Sequence, residues 1–273
     1  MDKLFIIKVG GNIIDDEEKL KSFLQSFSFI QAHKILVHGG GKIATNIGNK
    51  LGIESKYING RRITDDATID LVTMVYGGLI NKKIVAQLQS FKCNAIGLTG
   101  ADGNLIPATK RVPKALSFGE GLGEVIDYGW AGDINNSTLH VAGFMLLLQN
   151  NFTPVFAPLT HDGQGHILNT NADTIASSLA VALSNLYDVR LIYCFERKGV
   201  LENTDDDNSV IRFINKKKFI QLLNEKKLFA GMIPKIDNAF AAIDAGVKEV
   251  LIGNADDLIQ NTTAETTGTL ISL

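Results

Sequence analysis

Three cationic side chains and one carboxylate stand in this sequence where folding alone gives them little reason to be. Lys8 lies in "LFIIKV", a run otherwise apolar, just before Gly10 and Gly11. An ammonium there is costly to bury unless a partner meets it, although a lysine at a strand end can also carry its head to water. Arg62 follows "NG" ahead of a long helical pattern, where an exposed loop arginine is the plain alternative. Lys235 follows "GMIP" and precedes an apolar helix, where a surface position in the first turn is equally reasonable. Asp173 belongs to "NTNAD", in which Asn169, Asn171 and a carboxylate mark a helix start. Ordinary N-capping by Asn171 or Asp173 would explain that group too. Taken together, these positions all fall at strand-to-helix turns, which line the ligand crevice of an open α/β sheet. Cations and amides gathered there are chemistry for an anion.

The turn in "HKILVHGGGKIATNIGNKLG" points the same way. A strand-forming run stops at His38 and is followed by Gly39, Gly40 and Gly41. Three glycines in a row cost backbone entropy and offer nothing to pack. They make sense where bare backbone must approach a ligand closely, and an anion at a helix N-terminus is the usual one.

Other chemistries find no support. The P-loop pattern is absent, because Gly41-Lys42 is followed by Ile43 and lacks the leading glycine. "GGGKIA" fits a loose dinucleotide fingerprint, but "IESKYING" is not the acid-ended strand that should follow it. The five histidines show no metal-ligand spacing, and "DDDNS" lacks the glycine and glutamate of a calcium loop. No G-x-S-x-G elbow occurs. The net charge of −2 gives no electrostatic case for nucleic acid. Asp205, Asp206 and Asp207 answer the short basic run Lys216–Lys218. Cys93 and Cys194 lie far apart among apolar neighbours and read as buried, inert thiols. No apolar run has the length of a membrane span or the form of a signal peptide, so a soluble cytoplasmic protein is expected.

The elements that must position these residues alternate. "LFIIKV" reads as a buried parallel strand, and "DDEEKLKSFLQSF" as a helix capped by Asp15 with Glu18 three residues on. "KILV", the glycine turn and "IATNIGNKLG" repeat the strand–turn–helix unit. Residues 66–90 read as one long helix containing Gly77 and Gly78, small residues that suggest a close helix crossing within the chain or with a second copy. Residues 117–134 read as hairpins. Strands at "NAIGL", "FTPVFAPL", "VRLIYCF", "EVLIG" and "GTLISL" alternate with helices after "NTNAD", at "KKKFIQLLNEKKL" and after the "GMIPK" turn. With 273 residues, 45% of them hydrophobic and 21% charged, this predicts an α/β protein, a three-layer α/β/α sandwich around a central, mainly parallel sheet.

"IIKVGG", "HGGGK", "NGRRIT", "NTNADTIAS", "GMIPK" and "TTGTLI" occur in the order and spacing of the amino acid kinase family. The resemblance covers nearly the whole chain and is strongest to the acetylglutamate kinase branch. It implies phosphorylation of the γ-carboxylate of an N-acylated glutamate by ATP, with Mg²⁺ carried by the nucleotide and no metal site in the protein. Residues 1–165 would then bind the acyl amino acid, and residues 166–273 would bind ATP. Carried over residue by residue, the resemblance implies that Lys8 and Lys235 stabilise the transferring phosphoryl group and that Asp173 holds both lysines. Gly11, Asn171, Gly199 and Met232 would serve ATP. Gly40, Gly41, Arg62 and Asn169 would bind the acyl amino acid. An acceptor already ionised at neutral pH requires no general base, and the electrostatic task suits lysines and backbone N–H groups. Where the family commonly has an aspartate-containing turn, this chain has "FERKG", with Glu196 in the aspartate's place. The resemblance further implies a homodimer through the 66–90 helix. Arginine-inhibited members resemble hexamers joined by an extra N-terminal helix; the first strand begins about four residues in, so neither a hexamer nor arginine inhibition is expected.

Overall fold

Apolar side chains on both faces of the first strand require cover on both sides of the sheet. A computed structural model, which describes residues 1–58, 60–115, 125–203, 205–225, 227–228 and 232–273, provides that cover. In β1 (Lys3–Val9), Leu4 and Ile6 enter one core layer, while Phe5, Ile7 and Val9 enter the other. The first layer also holds α4 (Val141–Gln149), α5 (Ala172–Leu183), α6 (Lys216–Asn224) and α7 (Ile233–Asp244); the second holds α1 (Glu17–Phe29) and the long helix α3, residues 66–90. The other strands of the main sheet are β2 (His33–His38), β3 (Ala95–Leu98), β4 (Thr153–Phe156), β5 (Asp188–Phe195), β6 (Phe213–Ile214), β7 (Glu249–Asn254) and β8 (Thr269–Ile271). They form one eight-stranded sheet in the order β6-β8-β7-β5-β1-β2-β4-β3, with every pairing parallel except β7–β8. The expected three-layer sandwich is what the chain adopts. Strands from the two halves of the sequence stay on opposite sides of a single seam, the β1–β5 pair.

The parity of β1 aims its lysine. Lys8 shares the side of Leu4 and Ile6, so its stem rises toward the α5 layer, where Asp173 lies in the first turn. The glycine turns after β1 and β2 and the "FERKG" turn after β5 all stand at the carboxyl ends of parallel strands. The helix α2 (Gly41–Lys50) leads away from the second of them.

Several local expectations need correcting. The cap of α1 is Asp16, not Asp15; its carboxylate accepts from the Glu18 and Lys19 N–H groups. Asp15 has helical backbone angles because it closes the one-turn helix Gly11–Ile14, whereas Asp16 has the extended angles that a cap requires. Residues 66–90 are helical as expected but not uniformly so: α3 runs Asp66–Val72, passes through a π-helical stretch at Thr73–Ile80 and ends as Asn81–Ser90. A Cβ at Gly77 would meet Leu159 at 3.4 Å, so the close neighbour there is a strand of the same chain. Lys216 pairs with Asp244 rather than with the acidic run at 205–207, whose Asp207 pairs with Arg197. Of the expected hairpins, Gly132–Ile134 pairs with Ala108–Lys110 and Val125–Ile126 with Lys114–Ala115; residues 117–124 and Gly231 of the "GMIPK" turn lie outside the described residues. Among the described residues no helix is long and apolar enough to cross a membrane.

Candidate active site

Two cavities open at the carboxyl end of the sheet, one on each side of the glycine turns. The larger, about 620 Å³, is lined by Lys8, Gly11, Phe195, Gly199, Met232 and Lys235 among others. Lys8 is 9% exposed, and its Nζ stands 2.9 Å from Asp173 Oδ1. This is an ion pair out of line for a hydrogen bond, so Oδ1 is buried without a hydrogen-bond donor among the described residues. Lys235 occupies the first turn of α7, following Pro234, with its Nζ 3.4 Å from the centre of the Phe195 ring; Lys8 Nζ is 5.4 Å from the same ring. The ring face attracts both ammonium groups without neutralising them. Burial brings the Lys235 pKa down to about 8; the Asp173 carboxylate opposes that shift, and the Lys8 ammonium adds to it. Two ammonium groups on one ring make a positive patch that can receive an anion. The backbone completes it: a Cβ on Gly11 would meet only Asp15 Oδ2, at 4.0 Å, leaving the main chain there open to a ligand.

The smaller cavity, about 220 Å³, is lined by Gly40, Gly41, Arg62, Tyr76, Tyr128 and Asn169 among others. Gly40 has φ +146°, and a Cβ there would lie 2.3 Å from Ile80 Cδ1, so only glycine fits. Gly41 shows the other reason for the glycine run: its Cβ would point into the cavity, 4.0 Å from Arg62 Nη2. Arg62, 8% exposed, donates from Nη2 to the Gly41 carbonyl (2.9 Å) and Thr45 Oγ1 (3.0 Å) and from Nη1 to Ser55 Oγ, with its guanidinium 4.8 Å from the Tyr57 ring. These bonds use three of its five N–H donors and fix the plane of the fork. Asn169 Nδ2 donates to Thr64 Oγ1 at 3.0 Å, which fixes the amide.

His38 and Asn81 hold the glycine turn from beneath. His38 is fully buried; its Nδ1 donates to the Gly39 carbonyl at 2.8 Å, and its Nε2 accepts from Asn81 Nδ2 at 3.2 Å. The Val155 carbonyl, accepting from the same Nδ2 at 2.9 Å, sets the orientation of the amide. Burial opposes charge on the ring and outweighs the bond to the Gly39 carbonyl, so the His38 pKa falls to about 4.

The sequence-derived candidates separate between the cavities with two exceptions, Asn171 and Asp173, the second of which pairs with Lys8 but lines neither cavity. Gly11, Gly199, Met232, Lys8 and Lys235 share the larger cavity, and Gly40, Gly41, Arg62 and Asn169 share the smaller. Asn171, expected with ATP, instead lines the smaller cavity, and its side chain accepts from the Asp173 and Thr174 N–H groups as the cap of α5. Gly199 is required by packing: a Cβ would lie 2.6 Å from Thr269 Oγ1. Sequence reasoning missed Phe195, which ends an apolar strand like any other core residue. It also missed Arg111, which lines the smaller cavity and is gripped by Asp133 across a hairpin. Cys93 and Cys194 are buried, as expected; surrounding apolar groups push the Cys194 thiol up to about 12. Among the described residues no group of three or more His, Cys, Asp or Glu side chains converges on a metal position.

A mainly parallel α/β sandwich with two cavities abutting at the glycine turns, one lined by Lys8 and Lys235 and the other by Arg62, defines a class. Residues 3–254 match the model of the amino acid kinase family, and the chain belongs to that family. It is 54% identical over 260 residues to the acetylglutamate kinase of Cytophaga hutchinsonii, spanning 95% of this chain and 94% of that protein. It is 53% identical over 253 residues to the acetylglutamate kinase of Bacteroides fragilis, spanning 92% of each. Among solved structures, that of smu.665 from Streptococcus mutans UA159 superposes with a TM-score of 0.73 at 27% identity, covering 98% of both chains.

Proposed function

We propose that this chain is an acetylglutamate kinase, transferring the γ-phosphoryl group of ATP to the γ-carboxylate of N-acetyl-L-glutamate, or of another N-acyl-glutamate, in arginine biosynthesis. The observation that carries the reading is the abutment of the two cavities: a Cβ on Gly39, in the turn beside the smaller cavity, would lie 3.9 Å from the Gly11 nitrogen beside the larger one. A donor and an acceptor held in those cavities meet at the glycine turns. The relatives at 53–54% identity carry the same activity in their names.

In this reading ATP lies in the larger cavity, with the Gly11 N–H, Lys8 and Lys235 at its phosphates and Gly199 and Met232 along its length. The nucleotide brings Mg²⁺ on its own phosphate oxygens. The acyl amino acid lies in the smaller cavity, with Arg62 on its α-carboxylate and Asn169 and the Gly40 and Gly41 backbone beside it. A planar, fixed guanidinium suits a carboxylate that keeps its charge throughout. One γ-carboxylate oxygen attacks the γ-phosphorus, the bond to the β,γ-bridging oxygen breaks, and the products are an acyl phosphate and ADP. No proton moves. The negative charge that accumulates between donor and acceptor is met by Lys8, steadied by Asp173, and by Lys235. The chain divides into an acyl amino acid lobe, residues 1–165, and a nucleotide lobe, residues 166–273. It works as a homodimer in the cytoplasm; supporting the dimer, Met74 and Leu79 are exposed on α3 and a Cβ at Gly78 would touch nothing within 4 Å. Sedimentation should give twice the chain mass, and a monomer at micromolar concentration would contradict the dimer.

Trapping with hydroxylamine tests the activity. With ATP and N-acetyl-, N-succinyl- or free glutamate side by side, at least one N-acyl substrate should yield hydroxamate in step with ADP. Free glutamate should react poorly, because its α-ammonium would lie unpaired in a site shaped for an amide. ADP without hydroxamate, or equal efficiency on free glutamate, would overturn the reading.

A further inference from the structure

Asn12 stands between two charged side chains from opposite halves of the chain. Its Nδ2 donates to Glu196 Oε2 at 2.8 Å, and its Oδ1 accepts from Lys42 Nζ. Glu196 belongs to the turn after β5, on the wall of the larger cavity; Asn12 follows Gly11; Lys42 follows Gly41, which lines the smaller cavity. The position of Lys42 is notable on electrostatic grounds. It occupies the first turn of α2, where the helix dipole disfavours a cation and no acidic residue of the helix compensates. Its partners come from across the turn instead: Asn12, and Asp15 at 3.8 Å. An amide can give its oxygen to a cation and its nitrogen to an anion in only one orientation, so both charges hold Asn12 the same way.

We propose that Asn12 is a positioning residue whose amide, held between Lys42 and Glu196, ties the two glycine turns together, so that filling either cavity raises affinity at the other. The inference rests on the kinase reading above for the identity of the two ligands. A substrate against Gly41 fixes the first turn of α2; Lys42 passes that constraint to Asn12 and so to the adjacent Gly11. By linkage the effect is reciprocal.

Calorimetry with N-acetyl-L-glutamate, in the absence and presence of a saturating non-hydrolysable ATP analogue with Mg²⁺, measures this coupling. The unmodified chain should bind N-acetyl-L-glutamate roughly three- to tenfold more tightly when the analogue is present. Lys42→Glu and Glu196→Lys should each bring that ratio close to one. In the double variant the amide can turn over, giving its nitrogen to the new carboxylate and its oxygen to the new ammonium, and the ratio should return. Asn12→Asp, which cannot donate, should abolish the ratio in either background. A ratio of one in the unmodified chain, coupling retained in the single variants, or no recovery in the double variant would each overturn the proposal. If the unmodified chain binds neither ligand, the kinase reading fails first and the proposal falls with it.

Discussion

At the scale of single residues, the site depends on holding some groups charged and others neutral. Lys235 is the clearest case. A pKa near 8 means that the free protein carries its second cation below pH 8 and loses it above. The value of kcat/KM, which reports the free enzyme, should therefore fall as pH rises through about 8. Measured for Phe195→Leu, which removes the ring beneath the ammonium, the alkaline limb should move to lower pH; an unmoved limb would exclude the ring as a support. His38 works in the opposite sense. Its folded pKa of about 4 lies below the ordinary 6.5, so between those values the unfolded chain binds a proton that the folded chain refuses. Stability should decline as pH falls across that window, by up to about 3 kcal/mol. Denaturant unfolding of the parent and His38→Gln at pH 7 and pH 4.5 would reveal it: the parent should lose more stability than the variant, and equal losses would contradict the assignment.

At the scale of elements, the turns rather than the helices carry the design. Gly40 and Gly41 are neighbours with different reasons for lacking a side chain. Gly40→Ala should strain the backbone by roughly 1–3 kcal/mol and drive a methyl group into Ile80, lowering the melting temperature. Gly41→Ala meets no atom closer than Arg62 Nη2 at 4.0 Å, so it should melt near the parent yet raise KM for the acyl amino acid. Paired melting curves and KM values check the contrast, and a well-folded Gly40→Ala would refute it. This distinction was not legible in the sequence, where three consecutive glycines say only that backbone must be bare. The strand–turn–helix order was legible, because both faces of β1 and β5 are apolar and a parallel sheet leaves that signature. The cap of α1 was misplaced by one residue because the one-turn helix Gly11–Ile14 carries no periodicity of its own. Phe195 and Arg111 stayed hidden for a related reason: each acquires its role from a partner far away in the sequence, the lysines of two other elements for one and Asp133 for the other.

At the scale of the whole molecule, the sheet order places the two halves of the chain on either side of the β1–β5 seam. The proposed division of labour crosses that seam: transition-state charge is met by Lys8 from β1 on one side and Lys235 from α7 on the other, and ground-state recognition by Arg62. Interactions made only in the transition state govern kcat, whereas uniform binding governs KM. The most direct test is therefore the steady-state kinetics of Lys8→Ala and Arg62→Ala with N-acetyl-L-glutamate and ATP, with Lys8→Arg as a control. Lys8→Ala should lower kcat by roughly 10²–10³, as loss of one preorganised donor does, and Lys8→Arg should not restore it, since a longer planar fork cannot replace a compact ammonium. Arg62→Ala should chiefly raise KM for N-acetyl-L-glutamate and leave KM for ATP nearly unchanged. A near-normal kcat in Lys8→Ala, or a weakened ATP KM in Arg62→Ala, would contradict the account.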